Sequence, residues 1–548
     1  MKQFFLLAAL ALGMTADAQK IKTDLLLYNA RIYTVDSAFS IASAMAVTGG
    51  RISAVGSSEE LLRKYDATEK INARGRCVYP GFIDAHAHFV NYGFSLQRVD
   101  LTGTTSWDDV LQRTHDFVKK QGLSKGAWIL GRGWDQNDWK GKAYPNRKRL
   151  DALFPDNPVL LTRVDGHAAM ANAAALQAAG VDGPVTLTGG SVEIQDGRPT
   201  GMLIDNAVGL VSARIPAPTA AQARAALLAA QAKCFAVGLT TIDDCGLDFD
   251  AVEFIDSLQR AGDLRMRIYA MLSDAPKNYD WAFRRGPYKT DRLNVRSFKV
   301  YADGALGSRG ASLLRPYSDK PGWSGFLLSS PAHFDSVAAL LYARNWQMCT
   351  HAIGDSGNRT ILNIYGKYLR GPNDRRWRIE HAQVVAPGDF ALFHQYTVIP
   401  SVQPTHATSD MYWAGERLGA ERLKGAYAYG QLLQQNGWLP LGTDFPVEDI
   451  SPFKTFYAAV VRKDAKGYPR NGFQKEAALS RIQALRGMTI WAARSNFEET
   501  EKGSLEPGKW ADFIILDRDL LAEGENRILS TRVLATYVGG TAVFAANR

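Results

Sequence analysis

At 548 residues the chain exceeds one ordinary compact core, so two or three domains, or one large barrel with additions, are expected. Its 46% hydrophobic and 22% charged content is that of a soluble globular protein. The formal charge of +9 is spread along the chain with no run of five or more Lys/Arg, which argues against a dedicated nucleic-acid surface.

The chain opens MKQFFLLAALALGMTADAQ. Lys2, an apolar run from Phe4 to Met14, and Ala16-Asp17-Ala18 before Gln19 form a signal-peptide pattern over residues 1–18. The run is too short to span a bilayer, and no Cys follows it to carry a lipid. The mature chain is therefore expected to start near Gln19, to be periplasmic or secreted, and to have no stable membrane anchor. Cys77, Cys234, Cys245 and Cys349 show no CxxC spacing and are read as buried thiols rather than a disulfide framework.

Residues 24–78 alternate as a set of short strands (LLLYNARIYTV, SAMAVTGGRISAVG, EKINARGRCVYPG), broken at Gly-Gly and Asn-Ala. The far end, with ADFIILDRD and VLATYVGGTAVFA, is similar. The simplest arrangement packs 19–78 and 498–548 together as one small β domain. Between them, residues 79–497 repeat a short apolar run followed by a helical stretch. Candidate strands are 78–84, 238–244, 266–272, 296–302, 346–351, 377–381, 397–403 and 438–443. Eight strands alternating with helices predict an α/β fold, a (β/α)8 TIM-type barrel. The long gap after the first strand, about residues 95–215, carries strand-like pieces of its own (AWILGRGW, PVLLTRVDG, GSVEIQDGRPTGMLI) and is read as an inserted subdomain.

In such a barrel the functional groups sit at the C-terminal ends of the strands. The first predicted strand ends in His86 and His88, which alternation places on one face. The fourth contains Lys299, the fifth ends in His351, the sixth in His381 and the eighth in Asp444. Around one mouth these would gather four imidazoles, a lysine and a carboxylate, a donor set suited to Zn²⁺ or a similar divalent ion. Lys299 is the odd member, because an unpaired ammonium inside a barrel carries a large desolvation cost. Carbamylation by CO2 would make it a carboxylate able to bridge two metals. Alternatively it stays charged and binds an acidic substrate or pairs with Asp303. His406, after the seventh strand, is a candidate for contacting substrate or donating to the oxyanion. Arg309, after the fourth, is a candidate for holding an anionic group. His167, Trp134 and Trp139 of the insertion are candidates for a lid, with subdomain core the favoured reading for the tryptophans.

The motifs PGFIDAHAH, GRGWDQNDW, RVDGHAAMAN, KVYADGALGSRGA, THAIGD, RIEHAQ, QPTH and GTDFP resemble those of the amidohydrolase superfamily. They are most similar to its YtcJ-like branch, of amidohydrolase 3 type, whose named activities include N-substituted formamide deformylase. The resemblance covers nearly the whole mature chain. It implies a metal-bearing barrel beside a β-sandwich made from both termini. It implies His86 and His88 on the more buried metal, His351 and His381 on a second, Lys299 as a bridging carbamylated lysine, and Asp444 as both ligand and proton shuttle. The implied cofactors are one or two divalent ions, zinc first among them.

The expected function is hydrolysis of a C–N bond in a small-molecule amide, formamide or cyclic amide by a metal-activated hydroxide, with Asp444 moving the proton. Two other readings stand beside it: a mononuclear metal deaminase, and a secreted, non-catalytic binding protein on the same barrel. Lys299 argues against the first and the full set of ligand positions against the second. A homo-oligomer stays open; no nucleic-acid partner is expected.

Overall fold

The computed structural model describes residues 19–546, except 141, 164, 165, 167, 188 and 189. The signal-peptide stretch 1–18 and His167 lie outside the described residues. Among those described, no helix is long and apolar enough to cross a membrane.

Seven parallel strands form the central sheet: β1 (Phe82–Ala87), β2 (Leu239–Leu247), β3 (Arg267–Ser273), β4 (Leu293–Tyr301), β5 (Gln347–Ala352), β6 (Arg378–His381) and β7 (Ile399–Ser401). They pair in that order. Residues 438–445 take the eighth position. Leu441 bridges Val402 in parallel, and its carbonyl accepts from Ala85 N at 3.1 Å. Asp444 N donates to His86 O at 2.7 Å, and His88 N to Phe445 O at 2.8 Å. The eighth segment is thus bonded on both sides and the barrel closes, which brings His86 and Asp444 side by side. Every residue of β1 is buried, as expected of a parallel strand covered on both faces.

The helices wrap this sheet and start at recognisable caps. Thr219 opens Ala220–Ala236 with a capping box shared with Gln222, and Ser330 with Pro331 opens Pro331–Ala343.

The predicted first strand, 78–84, is two strands. Cys77–Pro80 pairs with Phe513–Leu516 in another sheet, and only Phe82–Ala87 belongs to the barrel. The break falls at Gly81, where a Cβ would lie 2.4 Å from the Thr240 side chain. An apolar run with no polar punctuation hid that change of sheet.

Three further sheets surround the barrel. Ile21–Tyr28, Ala44–Thr48, Arg51–Gly56 and Tyr65–Asn72 make one of four strands. A six-stranded sheet mixes Arg31–Tyr33, Ile41–Ala42 and Cys77–Pro80 with Phe513–Leu516, Val533–Val538 and Thr541–Ala545. The two share one apolar core in which Leu25, Leu27, Met45 and Val78 meet Phe513 and Tyr537. This layer is tied to the barrel by a buried bidentate pair, Arg267 Nε and Nη2 to Asp512 Oδ2 and Oδ1 at 2.6 and 2.9 Å. Six strands between Val99–Asp100 and Arg198–Asp205 form the third sheet.

Trp134 and Trp139 lie in the core of that third sheet, not over the mouth. Trp134 is fully buried and its indole N–H donates to Leu161 O at 2.8 Å. Trp139 donates to Thr104 O at 3.1 Å, and the two rings sit 5.7 Å apart. A satisfied indole in an apolar core is the more stable use of these side chains. All four cysteines are free and buried.

Candidate metal centre

The site is built on the end of β1. Asp84, His86 and His88 alternate onto one side, and each is pinned by a different neighbour. The Nδ1–H of His86 donates to Glu380 Oε2 at 2.6 Å. The Nδ1–H of His88 donates to the carbonyl of Cys245 at 3.0 Å. An acceptor on Nδ1 holds each ring's proton there and presents Nε2 to the cavity, where Lys299 Nζ meets that of His86. Both Nε2 atoms face one carboxylate oxygen: Asp444 Oδ1 is 3.7 Å from His86 Nε2 and 3.2 Å from His88 Nε2. Acceptor atoms at these distances repel one another unless a proton or cation lies between them.

Asp444 is aimed there by strained backbone. Its φ is +64°, in the left-handed region that non-glycine residues rarely occupy. Asp84 holds the approach, accepting from Thr443 N at 2.9 Å and from the Thr443 hydroxyl at 2.6 Å. His381 has a φ of +75°. That kink ends the alternation of β6, so Glu380 and His381 both serve the centre. The His381 ring lies 4.7 Å from that of His86 and 4.6 Å from that of His351. His406, on the helix Pro404–Asp410 that follows β7, stacks on His381 at 5.8 Å and 15°. Its Nε2 is 3.6 Å from Asp444 Oδ2. Lys299 is buried, with Nζ 3.0 Å from His86 Nε2. These residues line a cavity of about 370 Å³ whose outer wall adds Tyr301, Leu306, Asp410, Trp413 and Glu448.

Burial, reinforced by the Lys299 charge, lowers His86 to about 4 and His351 to about 3. Burial and its two histidine neighbours place His381 well below the ordinary value. All three imidazoles are neutral near pH 7, the form that binds metals. Burial opposes the Asp444 charge, but His88, His86, His381 and His406 outweigh it and hold the carboxyl well below its ordinary range. Four buried atoms here lack hydrogen-bond partners: His351 Nε2, His381 Nδ1, His406 Nε2 and Asp444 Oδ1. An unsatisfied buried polar atom costs about 1–3 kcal/mol. Four such atoms around one cavity are a donor set that a divalent cation satisfies. Two groups of three have ligand atoms within 4.8 Å of one another: His86–His88–Asp444 and His381–His406–Asp444.

The structure thus brings His86, His88, Lys299, His351, His381, His406 and Asp444 to one cavity. Arg309 is elsewhere. Its guanidinium pairs with Asp319 at 3.1 and 2.8 Å, and an arginine committed to that carboxylate does not serve an anionic group in the cavity. Asp303 is not the partner of Lys299 among the described residues; its oxygens accept the amides of Ile353, Ser312 and Gly354 at 2.8–2.9 Å.

Sequence reasoning missed Glu380. It immediately precedes His381, and strict alternation would send the two to opposite faces. The positive φ of His381 has no sequence signature, so only the coordinates show that both converge. Glu380→Gln keeps the shape but weakens the acceptor for His86 Nδ1–H. We expect divalent-cation affinity to fall about 10- to 100-fold, measured by chelator competition; unchanged affinity would remove Glu380 from the site.

The chain is similar to known proteins over nearly its whole length. The profile of the amidohydrolase family matches residues 69–544. The putative amidohydrolase YtcJ of Bacillus subtilis (strain 168) is 30% identical over 94% of this chain and 98% of its own. The N-substituted formamide deformylase of Arthrobacter pascens is 27% identical over 94% of this chain and 97% of its own. The crystal structure of an uncharacterized metal-dependent hydrolase from Pyrococcus horikoshii superposes with a TM-score of 0.77 at 28% identity, covering 91% of this chain and 99% of that one.

Proposed function

Because the chain belongs to the amidohydrolase family, we propose that it is a metal-dependent hydrolase cleaving a carbon–nitrogen bond in a small-molecule amide, formamide or cyclic amide. The observation that carries this reading is the pair of Nε2 lone pairs, each fixed by an Nδ1 acceptor, facing the ionised Asp444. The similarity to an N-substituted formamide deformylase supports the bond type.

His86, His88 and Asp444 would hold the cation, with zinc the first choice for nitrogen and oxygen donors. When bound, it supplies Lewis acidity to a water and to a carbonyl oxygen. The protein's own residues do the rest. Asp444, ionised and at the cavity wall, accepts the proton that the attacking water releases. It then returns that proton to the departing nitrogen, which leaves as a neutral amine. Tyr301, Leu306 and Trp413 give the outer cavity an apolar and aromatic wall for the nitrogen substituent.

Lys299 must not be an ammonium while the cation is bound. Its Nζ sits 3.0 Å from His86 Nε2, and like charges about 4 Å apart at an effective dielectric near 20 repel by about 4 kcal/mol for unit charges, and by more for a divalent ion. Carbamylation removes that charge and adds a carboxylate. Cation content should therefore rise when the protein is loaded in bicarbonate, and Lys299→Ala should abolish that dependence; equal loading with and without bicarbonate would refute carbamylation.

The function is tested by assaying chelated and reloaded protein on formamides, N-acyl amines and lactams, following both amine and ammonia. Chelation should remove activity and a divalent ion restore it, with the amine as product. Release of ammonia from a ring amine would instead favour a deaminase, and a loaded protein inert across the panel would refute hydrolysis.

A further inference from the structure

Asp444 presents its two oxygens to two different groups. Oδ1 lies 3.7 and 3.2 Å from His86 and His88 Nε2, and Oδ2 lies 3.6 Å from His406 Nε2. A carboxylate so placed lies between two groups of donors. The second group is complete without the lysine. One ring nitrogen of His381, one of His406 and an oxygen of Asp444 all lie within 4.8 Å of one another. His381 and Asp444 are each more than nine-tenths buried, and both keep an unpartnered polar atom, as does His406. The rings of His381 and His406 are stacked, 5.8 Å apart and 15° from parallel.

His351 is differently placed. Its Nε2 also lacks a partner, but it joins no three-donor group among the described residues and lies 3.7 Å from Asp303 Oδ1. Position in the chain explains how His406 reaches the centre. It lies in the first turn of a helix opened by Pro404 directly after β7, so the seventh strand end contributes a donor where the sequence suggested a contact to substrate or oxyanion.

We propose that His406 is a metal ligand, completing with His381 and Asp444 a second cation position on the far side of the Asp444 carboxylate. This rests on the hydrolase reading only for the first position. The second would bind the same class of ion, a borderline divalent metal suited to imidazole and carboxylate.

The test is metal content of the full-length protein loaded with Zn²⁺ and with Co²⁺ and passed through a desalting column. Wild type should retain two equivalents and His406→Ala one. Two equivalents in both would overturn the proposal, as would one equivalent in wild type unchanged by the substitution. Wild type retaining none would also sink the hydrolase reading, which separates the two failures. Because His406→Ala could disturb the helix, His406→Cys provides an independent readout. Loaded with Co²⁺, it should gain a near-ultraviolet thiolate-to-cobalt absorption absent from wild type and abolished by chelator. A His406→Cys protein holding Co²⁺ without that band would place His406 outside the coordination shell.

Discussion

Asp444→Asn should lower kcat about 10²- to 10⁴-fold, the range that a positioned proton-transfer group supplies. The amide is nearly isosteric, and the surrounding bonds that aim residue 444, from Thr443 to the Asp84 carboxylate and from Asp444 N to His86 O, do not involve its side chain. The folded structure should therefore survive. What is lost is the charge that four histidines hold ionised, and with it the ability to take a proton from water. The assay must be run at saturating cation, since the amide is the weaker ligand. A variant with full kcat under those conditions would remove Asp444 from proton transfer, whatever its part in binding metal.

The largest stability effect should come from beneath the centre. Arg378 is wholly buried. Its guanidinium donates to Asp243 Oδ2 at 2.9 Å, Ala85 O at 3.3 Å, Ser495 O at 3.1 Å and the side chain of Asn496. It also lies 3.8 Å from Glu380. Arg378→Met removes the cation and strands two buried carboxylates. Breaking one partner out of a buried ion pair costs about 3–5 kcal/mol, so the variant should unfold at distinctly lower urea concentration. Arg378→Met with Asp243→Asn should lose less than the sum of the single changes, because each removes part of the other's penalty. Strict additivity would show that the contacts do not interact energetically.

These two residues show what was legible in the sequence and what was not. His86, His88, His351, His381 and Asp444 end apolar runs in barrel order, so strand alternation and strand counting suffice to bring them together. The closing segment at 438–445 is legible for the same reason, although only Leu441 makes a regular bridge to β7. Glu380 and the ligand-facing geometry of His406 are set by backbone turned against the local rule: a left-handed residue at 381 and a helix entered directly from a strand. Neither leaves a composition signal. For Arg309 and Trp134 the sequence leaves two readings open, because an arginine suits a pocket or the surface and a tryptophan a lid or a core. Only the partner each finds, Asp319 or the Leu161 carbonyl, decides between them.

The sheet shared by both ends of the chain has a consequence for assembly. Cys77–Pro80 pairs with Phe513–Leu516, and two residues later the polypeptide becomes the histidine-bearing β1. A nascent chain emerging from the ribosome therefore presents Cys77–Pro80, the strand that leads into β1, more than four hundred residues before its partner Phe513–Leu516 has been translated. Pairings this remote in sequence form slowly, so the cavity is expected to become competent for cation uptake only late, after release. Nicking within 505–535 should likewise loosen the centre from a distance, without touching any side chain that faces it.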